Sequence, residues 1–236
     1  SREGIVRDAP PEFTAVLGRA LEYSALTGGA FDITVAPLLD VYRSRLGSGE
    51  SLRPGEVEAA LSLVDYRRVR LEGTVISLER PGMAITLDGI AKGYVVDRAV
   101  ARLTAYGAER VLVEAGGDLA AAGSGADEQD WWVAIQNPHD ARGSLGVLHL
   151  RGEGVASSGD YIHTFTEDRR LHHILDPRTG RSPEHTSGVT VVARSAMDAD
   201  ALSTSAFVMG PEEGLALLEG LDGVEGLIVT KDGTEL

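Results

Sequence analysis

The apolar pattern of this chain changes character near residue 110, and that change limits its fold more than any other feature. Before it, apolar residues mostly recur at helical spacing. Phe13, Val16, Leu17, Ala20 and Leu21 form one stripe over residues 11–26, and Gly28 ends that helix. A short helix is predicted around residues 37–42, an amphipathic one over 56–64 and a long one over 90–106. Two short strands flank the Glu72-Gly73 turn, and a third is predicted to end near Leu87. After residue 110 the sequence becomes β-rich, with strands predicted at 110–115, 132–136, 147–150, 155–157 and 189–193. Residues 161–166 and 171–175 read as a hairpin closed by Glu167-Asp168-Arg169. Helices over 199–208 and 211–221 and a strand over 226–230 follow. Strands and helices are grouped rather than alternating, which predicts an α+β fold with largely antiparallel sheets and helices packed against them. No stretch reads as a linker, so residues 1–236 are expected to form a single domain.

Charge and composition restrict the function. The formal net charge of −14 argues against a nucleic-acid partner, whose phosphates call for a basic footprint. A phosphate ester bound by so acidic a chain needs local help: a metal ion, N–H groups at helix starts, or a few Lys and Arg. There is no cysteine, which excludes disulfides, Cys-based zinc sites and a thiol nucleophile while leaving the compartment open. No signal peptide or membrane-spanning run is read. The chain opens on Ser1-Arg2-Glu3-Gly4 without Met, so a processed or trimmed N-terminus is expected.

Walker, dinucleotide-binding, nucleophile-elbow and His-Glu-x-x-His motifs are absent, and the six histidines lack zinc-ligand spacing. The chemistry must lie in small polar segments at the ends of regular elements. In Asp198-Ala199-Asp200-Ala201-Leu202-Ser203-Thr204, Asp200 and Thr204 are four apart and share a helix face. Two hard oxygens so placed could hold Mg²⁺ together with water and a substrate phosphate. The alternative is that Asp198 caps the helix and Asp200 sits in its favourable first turn. In Leu87-Asp88-Gly89-Ile90-Ala91-Lys92-Gly93-Tyr94, two glycines and a helix start suit an anion, with Lys92 adding charge; a tight strand-to-helix turn accounts for the same residues. Glu114-Ala115-Gly116-Gly117-Asp118 reads as an anion nest or a bend. Ala156-Ser157-Ser158-Gly159-Asp160-Tyr161 reads as a ligand contact or an ordinary turn. In His172-His173-Ile174-Leu175-Asp176-Pro177-Arg178-Thr179-Gly180, alternation sends His173 and Leu175 to one face and His172 and Ile174 to the other. A histidine facing a cleft would serve as general base; one in solvent would have no role.

Taken in order, these segments resemble the ApbE family, the FAD:protein FMN transferases. The matching stretches are Gly29-Ala30-Phe31-Asp32-Ile33-Thr34-Val35-Ala36-Pro37-Leu38; Gly89-Ile90-Ala91-Lys92-Gly93-Tyr94 with Asp97; Glu114-Ala115-Gly116-Gly117-Asp118; Ser158-Gly159-Asp160-Tyr161; His173 through Gly180; and Ser195-Ala196-Met197 through Thr204. Each is weak alone, and six in the family's order are specific. The resemblance implies an ApbE-like (T-fold-like) architecture. It also implies Mg²⁺-dependent transfer of FMN from its substrate FAD to a Thr or Ser of a target protein, with release of AMP. By the same resemblance, Mg²⁺ is held by the main-chain carbonyl of Ala91 and by Asp200 and Thr204. His173 is the candidate base. Flavin and phosphate contacts fall to Ala30, Phe31, Asp32, Asp88, Lys92, Tyr94 and Ile174, the last largely through its backbone. The family's usual acid before the Ile-Ala-Lys-Gly segment falls at Thr86 here, and Asp88 stands two positions on. The chain begins near the end of the family's usual first strand and helix, so it is expected to be N-terminally truncated relative to the family. The expected acceptor is a flavoprotein subunit with a Ser/Thr-Gly-Ala-Thr type segment, absent from this chain. The expected setting is the bacterial cell envelope. Two other readings use the same residues: a Mg²⁺-dependent FAD pyrophosphatase, and a flavin-binding protein without catalysis.

Overall fold

Val69–Glu72 (β2) and Val75–Leu78 (β3) pair antiparallel across Gly73, where the sequence places a hairpin turn. Gly73 supplies the positive φ of 60° that this tight turn requires. The computed structural model of the chain describes residues 4–125 and 129–236; residues 1–3 and 126–128 lie outside it. Two compact units are formed, one from Ser1–Leu87 with His163–Pro183, the other from Asp88–Ile162 with Glu184–Leu236.

In the first unit, Ile5–Val6 (β1) adds to β3, giving an antiparallel sheet of order β1-β3-β2. Helix α1 spans Pro11–Leu26, with proline at its first position and Glu12 in its first turn. Its stripe buries Val16, Leu17, Ala20 and Tyr23. Helices α2 (Ala36–Leu46) and α3 (Glu56–Leu61) meet over Leu38, Leu39, Tyr42 and Ala60, and Leu175 joins the same cluster. The Tyr42 hydroxyl donates to the Gly180 carbonyl at 2.9 Å, tying α2 to the turn that follows Leu175.

Two sequence expectations fail in this unit. No strand ends near Leu87: residues 83–87 pair with no strand, and the Thr86 N–H donates to the Ile33 carbonyl of a neighbouring loop instead. The predicted hairpin after residue 161 is not a pair of strands; an isolated bridge joins Thr164 to His172. The reason is local. Asp168 Oδ1 accepts from the Arg170 N–H and Thr166 Oγ1 from the Leu171 N–H, so side chains take donors that a longer ladder would need.

The second unit is built on an antiparallel sheet of order β10-β9-β8-β5-β4: β4 is Val111–Ala115, β5 Asp118–Ala122, β8 Gly154–Gly159, β9 Thr186–Ala193 and β10 Glu225–Thr230. Strand β5 was not anticipated from the sequence. Its Asp-Leu-Ala-Ala-Ala run carries little β propensity, and it forms because two glycines turn it back onto β4. One sheet face carries Ala120 and Val111 against Val96 and Val100 of α4 (Ala91–Ala105) and Ala196 of α5 (Ala196–Met209). The other face carries Leu119, Ala121 and Val155 against a long hairpin, β6 (Trp131–Asn137) with β7 (Asp140–Leu150). Helix α6 (Pro211–Glu219) follows α5. Among the described residues no helix is long and apolar enough to cross a membrane.

Helix α5 is buried along nearly its whole length, and small residues make that possible. A Cβ on Gly93 of α4 would lie 2.2 Å from the Ala196 carbonyl oxygen, and one on Gly154 of β8 would lie 2.0 Å from the Ala196 nitrogen. Both glycines therefore set how closely α4 and the sheet approach the start of α5.

Candidate active site

The two helix starts of the second unit are fastened to each other. Ser195 caps α5 by accepting from the Asp198 N–H at 3.1 Å, so the cap is Ser195 and not Asp198. Asp97, in the second turn of α4, accepts from the Ala196 and Met197 N–H groups at 2.8 and 2.9 Å. Three of the N–H groups that begin α5 are thereby satisfied by side chains. In return, Asp200 of α5 reaches the first turn of α4, where its Oδ2 accepts from the Gly93 N–H at 3.1 Å. Asp200 thus lies at the segment that contains Ala91 and Lys92.

Strand alternation delivers a second acid to the same place. Ala120 faces the helices, so Asp118, two residues earlier, faces them too. It directly follows the two-residue turn Gly116-Gly117, whose φ values of 62° and 95° admit glycine and few other residues. Lys92 reaches across this turn, with Nζ 2.9 Å from the Gly116 carbonyl and 3.1 Å from Asp118 Oδ1. Asp118 Oδ2 is buried and has no hydrogen-bond partner.

These two carboxyls lie side by side in a poorly solvated place. Burial, reinforced by the charge of Asp118, pushes Asp200 well above the usual carboxylate range, and the Gly93 N–H offsets only part of this. Burial also raises Asp118, against the pull of the Lys92 ammonium. One turn after Asp200 on α5 stands the half-buried Thr204, whose hydroxyl is 3.3 Å from Ser158 Oγ. Among the described residues no group of three or more His, Cys, Asp or Glu side chains is placed to hold a metal ion. The donors gathered here are two carboxylates, a hydroxyl and the main chain of the first turn of α4. They fit a small hard cation with water or phosphate completing its shell, and Asp118 Oδ2 is a buried oxygen that no N–H of the protein reaches.

Asp88 is exposed, Tyr94 half-buried and Lys92 exposed, all at or just before the start of α4. In the first unit, Ala30 and Phe31 are buried, with Phe31 held by its N–H to Thr27 Oγ1 at 3.0 Å and by an edge-on contact to the Tyr23 ring. Asp32 is buried as well; its carboxylate accepts from the Thr34 N–H and hydroxyl at 2.8 and 2.6 Å and from the Tyr66 N–H at 2.9 Å. Ile174 and Leu175 are both buried, so simple alternation does not hold there. His172 is fully buried, its Nε2 3.3 Å from the Pro183 carbonyl.

His173 is half-buried beside His163, the two rings edge-on with centroids 5.2 Å apart. Its Nδ1 is 3.2 Å from the His163 carbonyl oxygen. A carbonyl can only accept, so Nδ1 carries the proton and Nε2 presents a lone pair. Burial lowers the imidazole to about 4; the His163 carbonyl opposes this, and the charges of His163, His172 and Arg43 add to the lowering. At neutral pH the ring is an uncharged proton acceptor.

A model of the ApbE family matches residues 2–228. The chain belongs to the ApbE family. It is 35% identical over 213 residues to a FAD:protein FMN transferase of Vibrio cholerae, covering 86% of this chain and 63% of that relative. It is 34% identical over 237 residues to one from Treponema pallidum, covering 92% of this chain and 65% of the relative. The chain thus spans just under two thirds of the length of these curated relatives. Among solved structures, the ApbE protein of Thermotoga maritima superposes with a TM-score of 0.89 at 32% identity, covering 98% of this chain and 76% of that one. The apo flavinyl transferase ApbE of Pseudomonas stutzeri gives 0.83 at 34% identity, covering 96% and 71%. The mixed α and antiparallel β architecture expected from the sequence is the architecture of these neighbours.

Asp118, Ser158 and Ser203 lie in the matching segments, which the sequence reads as a possible anion nest, a possible ligand contact and a helix start, with no individual role for any of the three. Asp118 was recoverable: two glycines before it imply a hairpin turn, and a hairpin implies a strand whose alternate residues face the helices.

Proposed function

We propose that this chain catalyses Mg²⁺-dependent transfer of FMN from FAD to a Thr or Ser hydroxyl of an acceptor protein, forming a phosphoester and releasing AMP. The observation that carries this reading is the buried Asp118–Asp200 pair at the first turn of α4, assembled from three family segments and served by few protein donors. The names of the relatives support the same activity. Asp200, Thr204 and the Ala91 main-chain carbonyl would hold Mg²⁺, which when bound supplies charge neutralisation at a pyrophosphate.

Phosphoryl transfer asks little covalent work of a protein and much positioning and charge stabilisation. The N–H groups that begin α4 and the Lys92 ammonium bind and orient phosphate oxygens. Lys92 is held for this by Gly116 and Asp118. His173 Nε2 accepts the proton of the attacking hydroxyl, and the His163 carbonyl keeps the other ring nitrogen protonated throughout. Ala30, Phe31 and Ile174 are the proposed flavin contacts, Ile174 largely through its main chain. Asp32 fixes the loop that carries Phe31.

The acceptor is proposed to be a flavoprotein subunit with a Ser/Thr-Gly-Ala-Thr type segment, met in the bacterial cell envelope. The test is incubation of the chain with FAD, Mg²⁺ and a peptide bearing such a segment, followed by mass analysis. Covalent FMN on the peptide with AMP in solution is the expected result. FMN and AMP appearing together with an unmodified peptide would replace transfer by hydrolysis, and no AMP at all would leave a flavin-binding protein.

A further inference from the structure

A row of hydroxyls runs from the face of α5 into its buried interior, and proton counting gives the row a direction. Ser203 is fully buried, and its hydroxyl donates to the Asp200 main-chain carbonyl at 3.0 Å, a partner that can only accept. A hydroxyl has one proton, so at the 2.9 Å contact between Ser203 and Ser158 the donor is Ser158. Its own proton being used, Ser158 accepts at the 3.3 Å contact with Thr204, and Thr204 donates. The sequence runs Thr204 to Ser158 to Ser203 to the Asp200 carbonyl. Strand alternation explains the placing of Ser158: Gly154 and Ser158 lie on the face of β8 that meets α5.

We propose that Ser158 and Ser203 are positioning residues that turn the Thr204 proton inward, so that the Thr204 oxygen presents its lone pairs to the divalent cation. A cation needs an oxygen whose proton points elsewhere. A freely rotating hydroxyl would meet that need only part of the time; a directed relay meets it before the ion arrives. The relay also ends on the backbone of Asp200, so the two side-chain ligands are braced by one set of hydrogen bonds. This proposal rests on the reading of Thr204 as a ligand.

The test is titration of the full chain with Mn²⁺ at saturating FAD, following the free ion by electron paramagnetic resonance. Mn²⁺ is a hard, oxygen-seeking stand-in for Mg²⁺. Thr204→Ala is expected to weaken binding most. Ser158→Ala and Ser203→Ala are each expected to weaken it by roughly tenfold, and the double variant by no more than either alone. Ser158→Thr, which restores a hydroxyl, is expected to return most of the affinity. Binding of FAD without metal, read by flavin fluorescence, is expected to be unchanged in all of them. Unaltered Mn²⁺ affinity in Thr204→Ala would remove the ligand and the relay with it. Weakened affinity in Thr204→Ala with wild-type affinity in both serine variants would overturn the relay alone. Loss of metal-free FAD binding in the serine variants would overturn it in favour of a packing role. Ser158→Ala, at a half-buried strand end, decides the matter if Ser203→Ala fails to fold.

Discussion

Two regions of this molecule bury aspartates, and they treat them in opposite ways. Asp32, 7% exposed, receives three donors from its own unit: the Thr34 N–H, the Thr34 hydroxyl and the Tyr66 N–H. Asp118 and Asp200 are 1% and 5% exposed, and beyond a proton they share with each other their four oxygens receive one N–H from Gly93 and one ammonium from Lys92. Burial raises all three carboxyls, but at Asp32 hydrogen bonds oppose it, whereas at Asp200 the neighbouring acid adds to it. A buried carboxylate with its donors in place is part of the framework; a buried pair without them is a place prepared for a charge from outside. Burial alone does not separate the two cases, and a donor count does.

Substitutions can break that contrast. The largest effect is expected at Asp200, where Asp200→Ala should reduce Mg²⁺-dependent FMN transfer by a hundredfold or more at saturating FAD, read by mass analysis of the acceptor. Asp32→Asn comes next and acts on stability. Its amide would point N–H groups at the Thr34 or Tyr66 donors and cost about 1–3 kcal/mol of unfolding free energy in a denaturant titration, with Mg²⁺ affinity unchanged. Asp118→Asn should do the reverse. It should weaken Mg²⁺ binding by roughly tenfold in calorimetry while leaving the metal-free melting temperature level or raised, because a like charge is gone.

The smallest effect concerns His173. Its folded value of about 4 lies below the ordinary 6.5, so the folded chain binds fewer protons than the unfolded chain between those values. Stability from this group is therefore full above 6.5 and is lost as pH falls toward 4, at no more than ~1.4 kcal/mol per pH unit. Denaturation at pH 7 and pH 5 should show a smaller acid-induced loss in His173→Gln than in the parent chain. With His173 as the proposed base, the transfer rate should likewise stay level well below pH 6.5.

Much of this was legible in the sequence where local signals and tertiary packing agree. Helix α1 begins and ends at the predicted residues because its stripe, its first-position proline and Gly28 all point the same way. The strand near Leu87 and the hairpin over residues 161–175 were misread because β-like patterning cannot reveal a missing partner or a side chain that intercepts a backbone donor. At the site, spacing put Asp200 and Thr204 on one helix face, and resemblance added Ala91 and His173. Spacing could not show that Asp118 lies beside Asp200, because that depends on a β4–β5 turn and an α4–α5 approach joining segments some eighty residues apart. Nor could it show that Asp198, the apparent cap, yields that role to Ser195 and Asp97.

The most direct measurement is a calorimetric titration of Mg²⁺ into the parent chain and into Asp200→Ala and Asp32→Asn, each with FAD present. One saturable site per chain is expected in the parent and in Asp32→Asn, and none in Asp200→Ala. Equal Mg²⁺ binding by the parent and Asp200→Ala would contradict it.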